Sequence, residues 1–106
     1  MKTWNNYLET RQRGRSLPET GYSQSYAIIY RAADPSDMAL KGNNEYVTMQ
    51  RKFAKEHADH QAAVNDEPYV AVRFMVKAEH VYEAYNPGEW FYGGPPVQGK
   101  VFYTAN

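Results

Sequence analysis

Between Tyr69 and Lys77 the chain alternates with period two, placing Val70, Val72, Phe74 and Val76 on one side and Ala71, Arg73 and Met75 on the other. Such a segment is a strand. Its three valines and Phe74 all point one way, so it needs neighbouring strands for its backbone and a packed layer for that face. Asn65-Asp66-Glu67-Pro68 sets it off from what precedes, because Pro68 cannot continue a helix.

The remaining elements arrange themselves around this strand. Residues 26–33, Tyr-Ala-Ile-Ile-Tyr-Arg-Ala-Ala, read as a buried strand ending at the turn Asp34-Pro35-Ser36-Asp37. After the turn signal Lys41-Gly42-Asn43-Asn44, residues 45–49 read as a short strand and 50–64 as a helix. On that helix Phe53, Ala54, His57, Ala58, Gln61 and Ala62 share a face expected to pack, opposite Lys52, Lys55, Glu56 and Asp59. Residues 78–83 read as a helical turn. Asn86-Pro87-Gly88 then turns the chain into the apolar element 89–92, and Gly93-Gly94-Pro95-Pro96 leads to a final strand at 99–103. Upstream, Trp4, Tyr7, Leu8 and Arg11 predict a short amphipathic helix over 2–12, and 13–25 is a loop. The order of elements predicts an α+β domain with a mixed β core, an N-terminal helix and one central helix. At 106 residues the chain has the size of a single domain, 1–106.

Composition narrows the function classes. Twelve Lys and Arg balance twelve Asp and Glu, so no bulk field draws the chain to nucleic acid or to an anionic membrane. The absence of cysteine removes disulfides, thiolate metal sites and a thiol nucleophile. Met1 to Asn6 carries no apolar signal region, and no stretch reaches the roughly 20 apolar residues of a spanning helix. The expectation is a cytoplasmic protein without a membrane partner. Gly-rich phosphate loops, the GxSxG elbow and the HExxH zinc motif are absent. His57 and His60 stand three apart on the predicted helix, but helix packing accounts for them more simply than a metal site does.

Three residues invite a chemical reading. Arg31 lies inside an apolar strand, where an unpaired guanidinium is costly to bury, so it should have a partner; its fork also matches phosphate oxygens. Thr48 stands where a strand passes into a helix, as a β-branched strand residue, a cap or a site hydroxyl. Glu89 sits between a tight turn and three aromatics, where a carboxylate is either a solvated edge or a functional group held against rings.

The succession Ile-Tyr-Arg-Ala, then Tyr-Val-Thr before a helix with Lys-Phe-Ala-Lys-Glu-His-Ala, then Val-Arg-Phe-Met-Val-Lys-Ala-Glu-His-Val-Tyr, then Gly-Glu-Trp-Phe-Tyr resembles the ADP-ribosyltransferase-like fold. The resemblance is to the arginine-serine-glutamate branch and to small phage and bacterial members, over residues 26–103. It implies an NAD-dependent mono-ADP-ribosyltransferase of effector or toxin type acting on a protein or nucleic-acid acceptor. Within it Arg31 matches the arginine that holds the NAD diphosphate or nicotinamide ribose. Thr48 matches part of the hydroxyl motif, with Met49 and Gln50 at its further positions, and Glu89 matches the catalytic glutamate. Tyr30, Tyr46 and Trp90 are expected to stack on the rings of NAD. Pro87 stands two residues before Glu89, where many members carry a Glu or Gln that orients the acceptor. Two other functions remain: a catalytically inactive module of the same fold that inhibits a partner by binding it, and a small ribonuclease using His57 or His80 with Glu89.

Overall fold

The computed structural model describes residues 25–106, and the predicted helix over 2–12 lies outside them, as does nearly all of the loop over 13–25. The architecture is α+β, as the order of elements predicts. The elements are β1 (Tyr26–Ala33), β2 (Glu45–Val47), α1 (Arg51–Asn65), β3 (Tyr69–Lys77), β4 (Val81–Glu83), β5 (Trp90–Tyr92) and β6 (Lys100–Ala105). Two antiparallel three-stranded sheets form, in the orders β1-β3-β6 and β2-β5-β4. Residues 78–83 divide into a 3-10 turn, Ala78–His80, and β4. Val81 and Tyr82 are buried because β4 pairs with β5 instead of continuing the turn.

The strand of strict alternation, β3, is central in the larger sheet. Its nine residues contain neither Gly nor Pro, so its backbone can pair on both edges. Val70, Val72, Phe74 and Val76 are buried between the sheets with Ile29 and Ala33 from β1, Val47, Val81 and Tyr92 from the smaller sheet, and Leu40. Leu40 comes from a polar loop and is held by an antiparallel bridge to Val97, with backbone hydrogen bonds of 3.0 and 2.9 Å. The β3–β6 register shifts between Ala71 and Val72, a bulge that gives β6 one extra residue there.

The other face of β1-β3-β6 receives α1. Ala54, Ala58 and Ala62, spaced four apart, pack on Ala71 and Ala105, with Tyr30, Ala32, Tyr69, Phe102 and Tyr103 at the margins. The buried stripe is narrower than periodicity predicts, since Phe53 and His57 are exposed. Small side chains on both elements let the helix backbone sit close to the sheet, so one row of alanines fills the contact and the flanking positions face outward. The helix ends at Asp66, whose left-handed backbone (φ 54°) turns its N–H back to the Ala62 carbonyl. Among the described residues no helix is long and apolar enough to cross a membrane.

Candidate active site

At the outer edge of β1 the two layers part, leaving a surface cleft of about 810 Å³. Its floor is β1 itself, its walls are α1 and β2, and the turn between β4 and β5 closes one end. Arg31, Thr48 and Glu89 all line it, together with Tyr30 and Tyr46. Trp90 does not line the cleft; it is half-buried against the inter-sheet core. Five of the six residues picked out for the site therefore meet in one place.

Thr48 joins the layers. Its backbone exchanges two hydrogen bonds with Tyr30, 2.8 and 2.9 Å long, so the end of β2 is stitched to the free edge of β1. Its hydroxyl accepts the Gln50 N–H at 3.1 Å, which starts the turn into α1. Gln50, the residue before the first helical turn, makes no side-chain cap, so the threonine two residues upstream takes the capping role.

Arg31 shares its face of β1 with Ile29 and Ala33, and its side chain is 24% exposed. The partner that its burial demands is present: Nη1 donates to the Ala39 carbonyl at 3.2 Å and lies 4.0 Å from a Glu45 carboxylate oxygen. Glu45 is itself fixed by the preceding turn, accepting the N–H groups of Lys41 and Gly42 at 2.8 Å each and of Asn43 at 3.2 Å. Three converging amides fix the position of the carboxylate. That turn requires Gly42, which has φ 90° and packs so closely that a Cβ would run into the Gly94 carbonyl oxygen. Among the described residues Nη2 and Nε of Arg31 have no protein partner, which leaves donors for an anion in the cleft. Burial, and next the negative charge of Glu45, push the Tyr92 hydroxyl pKa up, and that hydroxyl donates to the Pro95 carbonyl.

Glu89 occupies the last position of the turn Asn86-Pro87-Gly88-Glu89. The Glu89 N–H donates to the Asn86 carbonyl at 3.1 Å, and Gly88 has φ 84°, the residue pattern and positive φ of a type II turn. Pro87 thus has a structural reason, since it pre-sets the second turn position. The Glu89 side chain is exposed and its Oε1 accepts from the Asn86 side-chain amide at 3.1 Å. The carboxylate is oriented by a neighbour yet open to solvent, a state in which it can meet positive charge on a bound molecule.

Aromatic rings border the cleft in two states. Tyr46 is 60% exposed with its ring against Phe91 at 4.7 Å, while Tyr30 is held edge-on to Phe102 at 5.5 Å. Phe53 and His57, which periodicity assigns to packing, stand on the helical wall instead. His57 Nε2 lies 3.3 Å from the Gln61 side-chain nitrogen. His80 is elsewhere, beside Glu79 at 3.6 Å and edge-on to Tyr92, so only His57 shares the cleft with Glu89. Among the described residues no three His, Asp or Glu side chains gather as a metal site.

Sequence reasoning missed Glu45, although one signal was present: a carboxylate three residues after Gly42, within reach of the turn's amides. Compared with protein-family models, with curated proteins and with solved structures, the chain gives no match.

Proposed function

We propose that this chain is an NAD-dependent mono-ADP-ribosyltransferase of the phage or bacterial effector type, acting in the cytoplasm. One observation carries the reading: Arg31, Thr48 and Glu89, widely separated in sequence, line a single cleft with Tyr30 and Tyr46. Its volume of about 810 Å³ lies in the range of small-molecule sites, roughly 300–1,000 Å³.

In this reading the free guanidinium donors of Arg31 bind the diphosphate, with Glu45 and Ala39 holding the other side of the fork. Thr48 keeps the floor and the helical wall in register, and Tyr46 offers an exposed ring to a base. The bond broken is the glycosidic bond between nicotinamide and ribose. Nicotinamide leaves neutral with the bonding pair, an acceptor nucleophile bonds the same ribose carbon, and the acceptor's proton passes to solvent. Positive charge develops on the ribose in between, and Glu89 supplies the opposite charge.

Nicotinamide release by the full chain, with and without Glu89→Gln, tests this reading. The variant is expected to lose about a hundredfold or more in rate while still binding NAD by calorimetry; Arg31→Ala is expected to weaken NAD binding itself. An undiminished rate in Glu89→Gln would remove Glu89 from the chemistry. A second reading, an inactive module that inhibits a partner by binding it, is favoured by the engagement of Arg31 Nη1 and by Pro87 in place of an acceptor-orienting residue. Failure to bind NAD at millimolar concentration decides for it.

A further inference from the structure

The balanced total charge of the chain conceals a segregation. None of the strands β1, β3 and β6 contains an Asp or Glu, whereas β3 and β6 carry Arg73, Lys77 and Lys100. In register Tyr26 faces Lys77, Ile28 faces Met75, and Tyr30, Arg73 and Lys100 form a row across all three strands. By alternation these residues lie on the same face as Ala71, the face that α1 packs against. The helix covers the Ala32–Ala71–Tyr103 end of it. At the other end Arg73, Lys77 and Lys100 are exposed, Tyr26 is 56% exposed and Met75 54%.

Arg73 sits directly opposite Lys100, a like-charged cross-strand pair that weakens a sheet unless an anion lies between the two charges. Among the described residues none of the three cations has an ion-pair partner, and Glu79, the carboxylate nearest Lys77 in sequence, is beside His80. Residues 1–24 carry Lys2, Arg11, Arg13 and Arg15 against Glu9 and Glu19, so their own charge has the wrong sign to neutralise this face. Lys77 and Arg73 are four residues apart on one strand, about 13 Å at roughly 3.3 Å per residue, and Lys100 extends the row sideways. An exposed ring and a thioether lie among the charges. A bilayer selects a projecting apolar edge; a flat strand surface with cations and rings interleaved suits a flexible chain of phosphates and bases.

We propose that this face of β1-β3-β6, left uncovered among the described residues, binds single-stranded nucleic acid, with Arg73, Lys77 and Lys100 on backbone phosphates and Tyr26 and Met75 against bases. The proposal does not depend on the transferase reading, because such binding needs no NAD. Fluorescence anisotropy of labelled oligouridine and oligothymidine with the full chain tests it. Affinity is expected to fall with salt with a log–log slope of roughly −2, from about −0.7 per phosphate on single strands. Arg73→Ala/Lys77→Ala/Lys100→Ala is expected to weaken binding tenfold or more and flatten the slope, while its melting temperature holds or rises as the like-charged pair disappears. Tyr26→Ala is expected to weaken binding severalfold without changing the slope. The proposal is overturned if neither oligonucleotide binds at low salt, or if the triple variant binds as tightly as the parent. It is also overturned if phosphatidylserine vesicles capture the chain when oligonucleotides do not, which assigns the face to a membrane.

Discussion

The two packed layers of this molecule are built from different materials. Between the sheets lie Ile29, Leu40, Val72, Phe74, Val81 and Tyr92, all large or branched and all essentially inaccessible. Between α1 and the larger sheet the contact is alanine on alanine, through Ala54, Ala58, Ala62, Ala71 and Ala105. The first layer fills the space it separates. The second is thin, brings the helix close and leaves Phe53 and His57 standing at its border. The cleft opens along that border, at the edge of β1 where the thin layer meets the thick one. Small residues thus shape the candidate site as much as the charged ones do.

The contrast can be broken by mutation. The largest effect is expected in the thick layer: Phe74→Ala should cost about 3–5 kcal/mol in denaturant unfolding, because a fully buried ring leaves a cavity that the sheets cannot close. In the thin layer the damaging direction is reversed. Ala58→Leu, at a position with no accessible surface, should cost about 1–3 kcal/mol through overpacking and should lift the helix, changing ligand affinity in the cleft along with stability. A cost as large as that of Phe74→Ala would mean the helix cannot shift, and the comparison between the layers would fail.

Glu45→Ala addresses the polar anchor between the layers. It should cost about 2 kcal/mol, since three amides lose a charged acceptor and Arg31 loses its counter-charge. If the cleft binds NAD, affinity should fall more in this variant than in Phe53→Ala, because the guanidinium loses its orientation.

The smallest effect is at the outer surface of the helix layer. The Tyr103 hydroxyl donates to Asp59 at 2.6 Å, and that bond, with the Asp59 charge, raises the Tyr103 pKa above its usual 10.0. The folded state therefore holds this proton more tightly than the unfolded state does. Its contribution is complete below pH 10.0 and is lost as pH rises through the folded value. Tyr103→Phe should lower the melting temperature slightly at neutral pH, where the contribution is complete, and flatten its decline above pH 10.0, so that the two proteins converge at high pH. Asp34 behaves in the opposite sense: its hydrogen bonds from the Ser36 hydroxyl and N–H lower its pKa, so its contribution is present above the ordinary Asp value and fades as pH falls through the folded one.

Much of this layering is legible in the sequence because period two is a strong signal. Val70, Val72, Phe74 and Val76 announce their strand and its inner face, and the break at Pro68 marks where it starts. The width of a helix's buried stripe is a different matter. It depends on the size of the side chains opposite, so Phe53 and His57 cannot be told from Ala54 and Ala58 by periodicity alone. Leu40 ends a three-residue apolar run, Met38-Ala39-Leu40, in an otherwise polar loop, too short for any period to report its burial. Arg31, Thr48 and Glu89 are suggested by their order along the chain, yet that they share a cleft follows from the Tyr30–Thr48 pairing and the β4–β5 turn, which are tertiary facts. The pairing of Arg31 with Glu45 is likewise set by a loop that brings a distant turn beneath β1.

The two hydrogen bonds between Tyr30 and Thr48 have a consequence for motion. They tie the free edge of the larger sheet to the end of a strand from the smaller one, at the point where the helix begins. Both amides are released when the layers separate, whereas fraying of β4 or of the turn at Gly88 leaves them paired. In native-state hydrogen exchange Tyr30 and Thr48 should therefore open together, with one free energy and one dependence on denaturant. Their shared rate would time the parting of the sheets, and a ligand bridging the cleft would slow both amides equally.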